Sequence, residues 1–208
     1  MKIEAIEQTR SPQGRVRLRF SDGSSQMVYP AVISQLSLYA GKELSEDEWE
    51  ELKKTAGEVS AKERAVRIIS ASTVSKRDLE SRLLQKGESE ENAKAAVEWL
   101  QELRLLDDRK AAQQVVQSGI SRGYGAARIR QMLYEKRIPK AYWDEALADF
   151  PSRDDAIDEF LQRRFRGKKP DRAECKRASD ALLRRGHSWS DIRKALERYS
   201  PDEEFFEE

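Results

Sequence analysis

The sequence predicts a mainly α protein: a tandem array of three three-helix repeats, preceded by a small module of antiparallel β-sheet and helices. Three observations carry this prediction. The first is a spacing that recurs. Leu83 is followed by Gly87, Ala93, Val97 and Leu100. Leu133 is followed at the same offsets by Arg137, Trp143, Leu147 and Phe150, and Leu182 by Gly186, Ile192, Leu196 and Tyr199. Leu79, Ile129 and Ala178 stand four residues before the three anchors, which lie fifty and forty-nine residues apart. The second is that steps of three and four put apolar groups on one helical face. A repeat of this length implies stacked supersecondary units that share a core with their neighbours. The third is a change of texture: before residue 30 the apolar residues alternate with period two instead.

Taking the chain in order, Ile3–Thr9 is apolar-rich and precedes a turn at Ser11–Gly14. Val16, Leu18 and Phe20 then alternate with Arg15, Arg17 and Arg19, as in a half-buried strand. Asp22–Gly23 suits a hairpin turn, and Gln26–Tyr29 is the returning strand. The three arginines share one face of this sheet, read as solvated rather than as a nucleic-acid surface. Pro30 closes the sheet. Val32, Leu36 and Tyr39 predict a helix ending near Gly41. Ser45 and Glu48 form a capping box that opens another, with Trp49 and Leu52 buried and Gly57 as its end. The N-terminal module spans residues 1–58.

Each repeat then has a less regular leading helix before the repeated pair. In residues 59–107, Ala65, Ile68 and Ile69 mark the leading stripe. Ser75 with Asp78 opens the second helix, Gly87 ends it with a left-handed residue, and Ser89 caps the third, with Glu90 and Glu91 at the positive end of its dipole. In residues 108–150, Ala112, Val115 and Val116 form the leading stripe and Gly119 ends it. Pro139 suits the first turn of the last helix. Arg137 replaces the glycine of the sister units, so either that turn differs or Arg137 takes a left-handed backbone at about 1 kcal/mol. In residues 151–200, Ser152 and Asp155 stand at capping spacing, and Ile157, Phe160 and Leu161 follow. Asp171 with Glu174 and Ser188 with Asp191 open the later helices, and Pro201 stops the last. Residues 201–208, PDEEFFEE, form an acidic tail.

Composition excludes more than it selects. Lys+Arg and Asp+Glu number 39 and 38, so the totals name no partner. With one Cys there is no internal disulfide and no Cys-rich zinc site. No long apolar run or signal peptide is present, which predicts a soluble cytoplasmic protein with no membrane partner. No constellation supports catalysis, and no cofactor or metal is expected. His187, the only histidine, sits at a turn and reads as structural or exposed. Cys175 falls in phase with Ala178 and Leu182 and reads as a small core group. Gly123–Tyr124–Gly125 lacks the strand and glycine pattern of a phosphate loop. Trp143, in phase with the inward stripe, reads as core.

Local charge is more informative. Leu161–Arg185 holds ten basic residues: Arg163, Arg164, Arg166, Lys168, Lys169, Arg172, Lys176, Arg177, Arg184 and Arg185. Only Asp171, Glu174 and Asp180 oppose them. Such a run marks a polyanion or acidic protein partner; its alternative is a solvated face laced with salt bridges. Arg122, Arg128 and Arg130 form a weaker second set.

The array resembles the RecX family, bacterial regulators of the RecA recombinase, over Ala61–Tyr199. The carriers are SKRDLESRLLQKG (Ser75–Gly87), SRGYGAARIRQML (Ser121–Leu133) and the three-fold register itself. The chain departs from the family's usual pattern in the middle unit: Ala126 stands after Gly125 where a proline is common, and Arg137 stands at a glycine position. The resemblance implies a curved helical array that binds the RecA filament on single-stranded DNA and lowers its ATPase, strand-exchange and co-protease activities. It implies no active site and no metal. On this reading the two basic sets are candidate contacts to RecA or directly to DNA, and the protein acts as a monomer. Rival readings are a helix-turn-helix DNA-binding regulator and a helical protein-interaction scaffold.

Overall fold

The computed structural model describes residues 1–10, 14–148, 150 and 154–199. They divide into two compact units. One comprises Met1–Ser72 with Leu79–Leu106; the other comprises Thr73–Asp78 with the chain from Asp107 onward.

The first unit opens with an antiparallel sheet in the order β1 (Ile3–Gln8), β2 (Val16–Phe20), β3 (Ser25–Val28). Alternation sets its faces. Val16, Leu18 and Phe20 are buried, while Arg17 and Arg19 face solvent and Arg15 is half-buried. Arg19 reaches across to Glu4 and Glu7, at 3.6 and 3.5 Å. At the hairpin, Gly23 has φ +82 and the Asp22 carboxylate accepts from the Ser24 amide at 2.9 Å. Helix α1 (Pro30–Gln35) starts at Pro30 and stops short of the predicted Gly41. Tyr39, predicted on its inward face, is exposed. The turn comes early because Ser37 takes φ +48 and the Leu38 amide folds back onto the Ile33 carbonyl.

The Ser45–Glu48 capping box forms as predicted and opens α2 (Glu46–Ala71). Gly57 does not end this helix, which runs unbroken across residues 58 and 59. Its missing Cβ serves packing instead: a methyl there would collide with the Asn92 side chain. Trp49 lies edge-on to Phe20, with centroids 5.0 Å apart, and Leu52 is fully buried. Helices α3 (Lys76–Gln85) and α4 (Glu90–Glu102) follow, α4 capped by Ser89. Gly87 between them has φ +85.

The second unit contains α5 (Asp108–Ser121), α6 (Ala126–Glu135), a single 3-10 turn (Lys140–Tyr142), α7 (Trp143–Leu147), α8 (Asp154–Phe165), α9 (Arg172–Arg184) and α10 (Trp189–Glu197). Gly119 does not end the leading helix either. It lies within α5, where a Cβ would stand 2.5 Å from Ile129 Cγ1, so its absence lets α5 and α6 approach closely. Pro139 caps the 3-10 turn, so the third helix of the middle repeat is split and short. Trp143 is accordingly half-buried at the edge of the Ala112–Val116–Leu133 core, its indole N–H donating to the Ile138 carbonyl at 3.0 Å. In the last repeat Ile157, Leu161, Ala178, Leu182, Ile192 and Leu196 form one cluster. Both predicted caps are present there, Asp171 on α9 and Ser188 on α10. Ser152, Pro201 and the acidic tail lie outside the described residues.

The register holds at its anchors. Leu83, Leu133 and Leu182 are each fully buried, while the residue after each (Leu84, Tyr134, Leu183) is exposed. The left-handed residue also recurs: Arg137 takes φ +52 where Gly87 and Gly186 take +85 and +83. Of the two readings of Arg137, the left-handed one is observed.

Candidate functional site

The ten basic residues of the last repeat follow from where its helices begin and end. Arg163 and Arg164 occupy the final turn of α8, where cations favour the negative end of the dipole. Arg166, with φ +50, and Gly167, with φ +76, turn the chain, and Lys168 and Lys169 follow. Arg172 is the first residue of α9; Lys176 and Arg177 stand on its outer face; Arg184 is its last residue. Nine of the ten are exposed, and Arg185 alone is half-buried.

The salt-bridged alternative requires partners. Arg163 has one, Glu159 a turn earlier. Arg164, Arg166, Lys168, Arg172, Lys176, Arg177 and Arg184 form no ion pair among the described residues. Cationic heads left in water keep their charge for an incoming polyanion, because no resident carboxylate must first be displaced.

The set is not one patch. The corner between α8 and α9 gathers Arg163 through Arg172. Arg184 and Arg185 stand at the far end of α9, roughly 18 Å along its axis from Arg172. There the structure joins Arg185 to the second set. Its guanidinium lies 4.9 Å over the Phe160 ring, and its backbone carbonyl accepts from the Gly125 amide at 2.9 Å. Arg128 packs beside Gly186 and pairs with Glu135 at 3.3 Å. Arg122 caps α5 next to Gly123, whereas Arg130 stands exposed on α6.

This joint was not legible as such. Gly123–Tyr124–Gly125, between α5 and α6, is the strip on which the turn after α9 lies. The Ala127 amide donates to the Gly186 carbonyl at 3.3 Å, and His187 Nε2–H donates to the Gly123 carbonyl at 3.1 Å. Burial pushes the His187 pKa down, and nearby Arg185 pushes it further; the Gly123 bond and Asp191 oppose them. A neutral, buried imidazole clamping a backbone is therefore structural. Cys175 sits in the last core, its thiol pKa pushed up by burial, as an inert packing group would have it.

The same joint recurs one repeat earlier. Ser75 is fully buried, and its hydroxyl donates to the Lys136 carbonyl at 2.6 Å while capping α3 through the Asp78 amide at 3.1 Å. The Lys76 amide donates to Asp108 at 2.8 Å. Ser75 and Gly125 occupy one position of the repeat, as do Lys136 and Arg185. The signal was present in the register, but nothing in one sequence says that a repeat position contacts the next repeat.

Among the described residues no cluster of His, Cys, Asp or Glu could hold a metal ion, and no helix is long and apolar enough to cross a membrane. The successive helices α5 to α10, with their recurring buried leucine anchors, place the chain among tandem three-helix repeat proteins. Comparison with known proteins narrows that class. Residues 107–147 match the second three-helix domain of RecX, and residues 153–196 match the third. Regulatory protein RecX of Vibrio parahaemolyticus is 30% identical over 69% of this chain and 94% of its own length. That of Clostridioides difficile is 25% identical over 94% of both. A crystal structure of regulatory protein RecX superposes with a TM-score of 0.59 at 23% identity, covering 95% of this chain and 98% of its own. RecX from Lactobacillus salivarius gives 0.55 at 18%, covering 70% and 97%. The chain belongs to the RecX family, whose members named here are regulatory proteins.

Proposed function

We propose that this protein binds RecA filaments on single-stranded DNA and lowers their ATPase, recombinase and co-protease activities, acting without catalysis of its own. Family membership supports a regulator; RecA as the target follows from the family resemblance. The observation that carries the contact surface is the corner between α8 and α9, where Arg164, Arg166, Lys168 and Arg172 are exposed and free of ion pairs among the described residues. Such a corner meets either the phosphate backbone or an acidic RecA face. Phosphate contacts release counterions, so binding through them weakens steeply with salt.

The test reverses Arg164, Lys168 and Arg172 to Glu and follows RecA ATPase on single-stranded DNA at two salt concentrations. These side chains are exposed, so the fold is expected to survive. Inhibition by the variant falls by at least about tenfold in potency. Undiminished inhibition by a folded variant removes the corner from the mechanism. Activity of the parent protein on duplex DNA without RecA would instead favour a DNA-binding regulator.

A further inference from the structure

The first unit holds a second cationic feature, unlike the corner on the last repeat because it is concave. Arg15, Arg64, Arg67, Ile68 and Lys86 line a cleft of about 290 Å³. Three separate elements supply its charge. Arg15 comes from the residue just before β2, where Thr9 Oγ1 donates to its carbonyl at 2.5 Å. Arg64 and Arg67 stand three apart on α2, and Lys86 comes from the turn after α3. Among the described residues the lining contains no carboxylate.

Arg64 is held in place by an ion pair, whereas Arg15, Arg67 and Lys86 form none among the described residues. Arg64 pairs with Glu88 at 2.7 Å, whose side chain is only 7% exposed, and Ser60 donates to the same carboxylate oxygen at 2.9 Å. Arg64 also donates to the Lys86 carbonyl at 2.9 Å. Arg67 reaches the Tyr29 hydroxyl at 3.5 Å. Arg15 differs from Arg17 and Arg19 of the strand that follows it. It is half-buried, and its Nε is covered and has no hydrogen-bond partner among the described residues. A covered donor on a permanent cation is costly unless something accepts from it, by about 1–3 kcal/mol or more. Four cations facing one cleft against a single buried carboxylate leave a local surplus that an anion would balance.

We propose that this cleft is a binding site for phosphate groups. Planar guanidinium forks match the several oxygens of a phosphate, and one phosphate can bridge more of them than a carboxylate with two oxygens can. Among the described residues the lining offers Ile68 as its only apolar side chain and no aromatic ring, so it recognises the phosphate and not a base. The ligand is either the backbone of a nucleic acid strand or a free polyphosphate. The site is independent of the RecA reading, since it lies in the other unit and is assayed with no recombinase present.

Calorimetric titration of the full chain with inorganic tripolyphosphate, and separately with a single-stranded oligonucleotide, tests it. Arg15→Gln with Arg67→Gln weakens tripolyphosphate binding by about tenfold or more, while the charge-matched control Lys54→Gln with Lys94→Gln, at exposed positions of α2 and α4, leaves it unchanged. If oligonucleotide binding falls in parallel, the natural source is a nucleic acid backbone; if only tripolyphosphate binding falls, it is a free polyphosphate. Absence of tripolyphosphate binding by the parent, or equal binding by the double variant, overturns the proposal. Should the double variant not fold, phenylglyoxal modification of the parent decides. Shielding of Arg15 and Arg67 by tripolyphosphate supports the site, and unchanged modification overturns it.

Discussion

The joints at Ser75 and at Gly125 solve one problem with opposite chemistry. Both sit where the second helix of a repeat begins, and both meet the carbonyl at one position of the next repeat, Lys136 or Arg185. At Ser75 a side chain spans the gap, so the two backbones stand apart. At Gly125 the amide itself makes the bond and the backbones touch: an added Cβ would stand closer than 3.0 Å to the Gly186 carbonyl, with His187 N at 2.5 Å. One repeat position can therefore demand a hydroxyl in one copy and nothing at all in the next. The repeat conserves the contact, and the residue follows from how closely the backbones come.

The largest way to break this comparison is Gly125→Ala. The obstacle is backbone, which cannot rotate aside, so the cost is about 3 kcal/mol or more and falls on the last repeat. Chemical denaturation of the full chain measures it. Ser75→Ala is milder. It removes a helix cap and leaves the Lys136 carbonyl without that donor, at about 2 kcal/mol together. Equal costs for the two would show that the joints do not differ as described.

A third test uses His187, which only the glycine joint possesses. Its folded pKa is depressed by burial, so just below the ordinary histidine value of about 6.5 the unfolded chain binds more protons than the folded one. The stabilising effect is complete above that value and is lost as pH falls towards the depressed one. The last repeat should therefore lose stability on acidification through the range below about pH 6.5, and His187→Gln should flatten that slope. An unchanged slope would show that His187 does not sense the joint. The smallest effect is Arg137→Gly. It relieves a left-handed non-glycine residue and should raise stability by about 0.5–1 kcal/mol. An unchanged or lowered denaturation midpoint would count against strain at that turn.

Much of this architecture was legible because it is written in short-range chemistry. Strand alternation, the Asp22–Gly23 turn, the Ser45 and Asp171 capping boxes and the three leucine anchors each rest on residues a few positions apart. Two of the misreadings share one cause. Local spacing reads Gly57 and Gly119 as helix ends, since a glycine more often stops a helix than serves one. Both lie inside helices, where a partner from another helix, Asn92 or Ile129, needs the room. A close approach depends on a residue dozens of positions away, and local spacing carries no trace of it. Pro139 is a separate case: it suits a first helical turn, and here that turn is 3-10, which splits the middle repeat's last helix. The basic residues were legible as a cluster in sequence, but not their division between a corner and a joint. That division follows from the length of α9, and the isolation of Arg15 from its neighbours on β2 follows from the packing of α2 against the sheet.

Amide hydrogen exchange on the full-length Gly125→Ala protein, read segment by segment, bears most directly on the claim that backbone contact at this glycine holds the last repeat in place. Exchange should accelerate across α9 and α10 while β1–β3 and α2 keep their protection. Protection of α9 and α10 equal to that of the parent would contradict it.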